Sequence, residues 1–109
     1  MKKFIVIAFL LASLFLKAQN QATQLATHIA NKMKDTLNLT PTQRDQVYDV
    51  NMLLHSLKTA ARQQYTNLDS VRFYLQKIEN RRDTLYQAIL PPPKYIIYKQ
   101  KKRNLVTNN

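Results

Sequence analysis

Residues 66–70, Thr66-Asn67-Leu68-Asp69-Ser70, decide how this chain folds. On either side of them, positions 47, 50, 54, 57, 61, 64, 68, 71, 75, 78, 82, 85 and 89 step by three and four without a slip, and all but Gln64 and Arg82 are apolar. Apolar residues at that period mark a long helical seam. As one helix from Pro41 to Leu90 the seam would be about 75 Å long, which is unusual in a small domain. Asn67, Asp69 and Ser70 are good N-cap types, whose short side chains accept from the free N–H groups of a helix's first turn. The unbroken register speaks for the single helix, and the turn chemistry favours a hairpin. The sequence therefore predicts a long helical hairpin with its turn within 66–70.

Outward from the turn, both ends of the hairpin carry proline signals. Thr40-Pro41-Thr42-Gln43 reads as a capping box. Thr40 accepts from a first-turn N–H, Gln43 reaches back to the N–H of Thr40, and Pro41 sits where a missing N–H costs nothing. Asp45 and Asp49 then lie near the positive end of the helix dipole, where carboxylates are favoured. At the other end, Leu90-Pro91-Pro92-Pro93 cannot continue a helix, because the residue before a proline is pushed out of the helical region. Pro92 or Pro93 can start a short last helix, from Lys94 to about Asn104. Its Tyr95, Ile96, Ile97 and Tyr98 are candidates for burial, Lys99, Lys101, Lys102 and Arg103 are expected to be solvated, and residues 106–109 are expected to fray.

Upstream, Leu25, Ile29, Met33 and Leu37 recur every four positions between about Asn20 and Leu37. That is the stripe of a helix with one buried face. Asn38 can take the left-handed conformation that often ends a helix, and Leu39 can then fold back on Met33.

Residues 1–18 have the layout of a secretory signal peptide. Lys2-Lys3 precede thirteen residues from Phe4 to Leu16 whose only polar member is Ser13, and Ala18 suits the position before the cut. Thirteen residues of helix span about 20 Å, short of a bilayer core of about 30 Å. An exported chain with a single domain over residues 19–105 is the expectation. Fourteen of the hydrophobic residues lie in this signal, so the core of the remaining 91 residues is thin. Thin helical cores commonly gain stability by pairing with another chain, and a homodimer is expected.

Composition excludes more than it assigns. There is no glycine and no cysteine. Glycine-rich phosphate loops, nucleophile elbows, disulfide scaffolds and thiolate zinc sites are therefore ruled out. The chain has 17 Lys and Arg against 6 Asp and Glu, for a net charge of +11, which biases it towards anionic partners. Nucleic acid is not expected, since export argues against it and no recognition helix, zinc finger or aromatic sheet motif appears. Contact with an anionic membrane surface is not favoured, because the chain after residue 18 has one phenylalanine and no tryptophan.

The order of these parts resembles the periplasmic Spy/CpxP family, which is marked by two Leu-Thr-x-x-Gln motifs. The first is intact as Leu39-Thr40-Pro41-Thr42-Gln43. The second is degenerate over Leu90-Pro91-Pro92-Pro93-Lys94. Leu90 and Pro92 fit, Pro91, Pro93 and Lys94 replace the usual threonine, glutamate and glutamine, and Tyr95 follows. The resemblance implies an all-α, hairpin-based subunit that pairs into a curved antiparallel dimer. It implies an ATP-independent chaperone that holds unfolded or misfolded envelope proteins on a basic helical face, or an accessory regulator docking on a sensor or anti-sigma protein.

Arg44, Lys58, Arg62, Arg72, Lys77, Arg81 and Arg82 along the hairpin are the candidate residues for such binding, with Tyr65, Tyr74 and Tyr86 interleaved. Cations attract acidic segments at long range, while tyrosines and arginine stems cover apolar side chains without a unique fit. The competing reading is a solvated basic face with tyrosines at the core's edge. Arg82 stands out because it occupies a seam position, and a partner such as Glu79 or Asp83 is expected. Enzymatic chemistry finds little support. Ser56 and Ser70 have no positioned base, and neither His28 nor His55 has a second ligand at a helical spacing. No catalytic residue, metal or cofactor is expected.

Overall fold

The computed structural model describes residues 2–107, with side chains from Asn20 onward. Four α-helices follow in order: α1 (Lys2–Leu37), α2 (Pro41–Gln64), α3 (Leu68–Ile89) and α4 (Pro92–Leu105). No strand occurs among the described residues. The reading of residues 1–18 as a signal falls outside the described side chains. Among the described residues no helix is long and apolar enough to cross a membrane.

Each junction has a local cause. The end of α1 is set by Asn38, which takes φ 55°, so that the Leu39 N–H reaches the Lys34 carbonyl at 3.0 Å in the Schellman arrangement. Thr40 then caps α2. Its Oγ1 accepts from the Gln43 N–H at 3.1 Å, and Gln43 Oε1 accepts from the Thr40 N–H at 3.0 Å. The seam breaks where the cap types cluster. Asn67 Oδ1 accepts from the N–H groups of Asp69 at 2.8 Å and Ser70 at 3.4 Å, starting α3. The chain is a hairpin. Helix α4 starts on prolines with no side-chain cap, because the ring of Pro91 at the N-cap offers no acceptor.

Helix α2 is the spine. It packs on α1 along one side and on α3 along the other, and α4 returns across the ends of α1 and α3. Among the described residues the backbones of α1 and α3 do not approach each other. The core gathers where all four helices meet, around Ile29, Met33, Leu37, Leu39, Val47, Tyr86, Leu90, Tyr98 and Leu105. Tyr86 and Tyr98 meet edge to face, with centroids 5.0 Å apart, a geometry that contributes about 0.5–1.5 kcal/mol beyond area burial.

Three sequence expectations need correction. The buried stripe of α1 runs through Ala22, Ala26, Ile29, Ala30, Met33 and Leu37, while Leu25 is 37% exposed. The small alanines let α2 come close, and that rotates Leu25 to the edge. On α4, Tyr98 is buried and Tyr95 half-buried, but Ile96 and Ile97 face outward. The packed face is 95, 98, 102 and 105, at helical spacing, and residues one position off it cannot share it. Of the cations expected to be solvated, Lys102 is instead half-buried, and it and the exposed Lys99 bind Asp83, at 2.9 and 2.8 Å.

Beyond Leu105, Val106 packs partly buried against the core, and the Thr107 carbonyl accepts from Lys32 Nζ at 2.7 Å. The same ammonium reaches the Asn104 carbonyl at 2.7 Å, while Lys94 on α4 reaches the Asn38 carbonyl at 2.7 Å. A lysine on each helix thus serves the carbonyl end of the other, where cations are favoured.

Candidate functional site

Helices α1 and α3 both pack on α2 while their backbones stay apart, and the space between them is a groove. Its narrow part is a cleft of about 170 Å³. One wall belongs to α1, where Ala22, Leu25, Ala26 and Ile29 share a face. The opposite wall is Asn51, His55, Lys58 and Arg62 of α2, again on one helical face, joined by Arg82 of α3. The cleft continues past Leu25, Ile29, Lys58 and Arg82 into an open trough of about 600 Å³. There Lys99, Gln100, Lys102 and Arg103 of α4 and Val106 just beyond it complete the lining with Glu79. Among the described lining residues, six cations stand against one carboxylate.

A buried polar network holds the floor in place. Arg82 Nη1 donates to Asn51 Oδ1 and to Tyr86 Oη, both at 2.9 Å, and the Tyr86 hydroxyl donates to Asn51 Oδ1. Asn51 Nδ2 donates to the Ala26 carbonyl of α1 at 3.1 Å. Arg82 Nε donates to Glu79 Oε1 at 2.6 Å, and Lys58 Nζ donates to Glu79 Oε2. The expected partner of Arg82 is therefore Glu79, three residues back, and Asp83 goes to α4. Burial pushes the Glu79 carboxyl up, but hydrogen bonds from Arg82 and Lys58 hold it below its ordinary value. Burial opposes the Arg82 charge, yet Tyr86 and Glu79 hold its pKa above the ordinary value. Burial pushes the Tyr86 phenol up to about 12, against the pull of Arg82.

At the trough's far rim, Asp83 clamps α3 to α4. It accepts from Tyr98 Oη at 2.7 Å besides its two lysines. Burial alone would raise its pKa, but hydrogen bonds from Lys99, Lys102 and Tyr98 bring it down to about 2. These contacts leave a specific pair of cations for a ligand. Among the described residues, Arg62 and Arg103 are exposed and lie in no ion pair.

The candidate residues separate into those the fold gathers and those it does not. Lys58, Arg62 and Arg82 share the groove. Arg72, Lys77 and Arg81 are exposed on α3 outside its lining. Arg44 is near the start of α2, donating to Asn31 Oδ1 at 3.0 Å, paired with Asp45 at 3.1 Å and lying 5.8 Å over the Tyr48 ring. Tyr86 is fully buried rather than interleaved at the surface. Tyr65 and Tyr74 stack at the hairpin tip, with centroids 4.2 Å apart, beside the exposed Leu68 and Phe73. The lining residues Lys99, Lys102 and Arg103 escape sequence reasoning because they arrive only through the return of α4. The one signal is the absence of any acid in that helix.

The groove offers positive charge, hydrogen-bond donors and an apolar wall, which equips it to hold anionic chains. No cluster of three His, Cys, Asp or Glu side chains able to hold a metal occurs among the described residues. No protein family, curated protein or solved structure matches the chain. Membership of the Spy/CpxP family is accordingly a proposal.

Proposed function

We propose that this protein is a non-enzymatic binding protein of the Spy/CpxP type, exported to the periplasm and active as a homodimer. It holds unfolded or misfolded envelope proteins reversibly on its basic helical surface and needs no cofactor. The observation that carries this reading is the groove's pairing of an apolar α1 wall with a cationic wall. Unfolded chains expose both apolar side chains and carboxylates, and such a groove covers the first while attracting the second. The test is light scattering of an aggregating client with the purified chain from Gln19 onward. Suppression at near-stoichiometric ratios without nucleotide, weakening as salt rises, is expected. No suppression at low salt overturns the reading.

A regulatory module that docks on one sensor or anti-sigma protein is supported by a different observation, the hairpin tip. Phe73 and Leu68 are 63% and 61% exposed there beside a stacked tyrosine pair, and apolar side chains grouped at one exposed point suit a single partner. Crosslinking in the envelope separates the two. One dominant adduct that Phe73→Ser abolishes favours docking, and many adducts indifferent to Phe73→Ser favour holding.

A further inference from the structure

The two walls of the narrow cleft differ in kind. Every residue that α1 contributes to the narrow cleft is apolar, and every residue facing them from α2 and α3 is polar or cationic. Where the cleft widens, Leu25 and Ile29 continue the apolar α1 side, and the cations of α2, α3 and α4 stand there with Glu79, Gln100 and Val106. A helix is about 10–12 Å across with its side chains and needs far more room than the narrow cleft of about 170 Å³ offers. An extended chain is slimmer, and it sends successive side chains to opposite sides, which matches two unlike walls facing each other.

We infer that the groove binds an extended segment in which acidic and apolar residues alternate, the apolar side chains against α1 and the carboxylates towards α2 and α4. This rests on the holding function proposed above and names the sequence class it selects. The span from Ala22 to Ile29 is about 10 Å, room for about three strand residues, and the trough leads the segment on past Ile29 towards Arg103. The open side of the trough leaves the segment's backbone groups in water, so no buried amide goes unpaired. Arg62 in the cleft and Arg103 in the trough lie in no ion pair among the described residues, and an incoming carboxylate meets them without breaking an existing bond. Lys58, Lys99 and Lys102 are already held by Glu79 and Asp83 and supply background attraction only.

Three labelled nonapeptides test this by fluorescence anisotropy against the chain from Gln19 onward. One alternates aspartate and valine, one has the same composition with the aspartates at one end and the valines at the other, and one alternates lysine and valine. The alternating acidic peptide is expected to bind about tenfold tighter than its rearranged twin, the worth of one or two well-placed charged hydrogen bonds, and the lysine peptide not at all. The double variant Arg62→Ala, Arg103→Ala, altered only at exposed positions, is expected to melt like the parent and lose that tenfold preference. Equal affinity for the two acidic peptides, or a preference unchanged in the double variant, overturns the inference. Client aggregation, measured alongside, keeps the two readings apart. Suppression without order preference sinks the groove's selectivity and leaves the holding function, while order preference without suppression does the reverse.

Discussion

Arg82 Nη1 lies 2.9 Å from Asn51 Oδ1, joining α3 to α2 across 31 residues of sequence. Asn51 in turn bonds the Ala26 carbonyl, so one guanidinium and one amide tie three helices at a single level. Arg82 stands at a seam position that apolar packing would otherwise fill. With its donors directed at Asn51, Tyr86 and Glu79, the buried charge is paired and hydrogen-bonded, as burial requires.

Removing that charge should be costly. Arg82→Ala takes the donor from the Tyr86 hydroxyl and one of two donors from Asn51 and from Glu79, which keep Tyr86 and Lys58, and loss of one partner of a buried pair costs about 3 kcal/mol. Urea denaturation is expected to show a lower midpoint by that amount, with the same slope. An effect under about 1 kcal/mol would mean that the network contributes little to stability.

Acid should loosen α4 in a defined window. Asp83 has a folded pKa of about 2 against 3.8 for the ordinary group. A depressed carboxyl stabilises the fold above its unfolded pKa, and the contribution is lost as pH falls through the folded value. Stability is therefore expected to decline from about pH 4 towards pH 2, and Asp83→Asn is expected to flatten that part of the curve. Thermal melts across the range read this directly.

At the alkaline end the sign reverses. Tyr86 is raised from 10.0 to about 12 by burial, and burial with the Asp83 carboxylate drives Tyr98 upward as well. Neutral phenols are favoured in the fold, so stability holds below pH 10 and declines as pH climbs towards 12. Phenolate absorbance is expected to show Tyr86 and Tyr98 ionising together with unfolding, and Tyr86→Phe is expected to remove one of those late-titrating groups.

Asn38 offers a backbone test. Its φ of 55° suits glycine as well as asparagine, and a β-branched residue meets a clash there worth about 1–2 kcal/mol. Asn38→Gly is expected to leave the melting temperature near the parent's, and Asn38→Val to lower it. Equal melting for the two would contradict the left-handed assignment.

The lysine exchange between α1 and α4 predicts a local effect. Replacing Lys32 or Lys94 by methionine removes a cation from a carbonyl end, at about 0.3–1 kcal/mol each. Faster amide hydrogen exchange in α4 is expected, with the hairpin unchanged.

What the sequence reveals here is whatever a few neighbouring residues settle among themselves. Thr40 with Gln43, Asn38 with Leu39, and Asn67 before Asp69 each close a helix end within four residues, and all three read correctly. The phase of α4 did not, because its proline start fixes where the helix begins and leaves open which side faces Met33 and Tyr86. The groove was hidden for a related reason. Its walls depend on how far α1 rolls over its alanines and on where α4 returns, and neither distance is written in any local pattern. Arg82 was visible as an oddity in the seam, and its partners on two other helices appeared only with the fold.

Because α1 and α3 both rest on α2 and are bridged at one end by α4, the groove is a slot between two rails on a common bed, bounded at one end and open along one side. Asn51 and Arg82 act as a cross-tie under it, lacing the rails to the bed at the level of Ala26. On the proposed reading, the slot's two unlike sides would sort a guest by the order of charges along it rather than by its bulk.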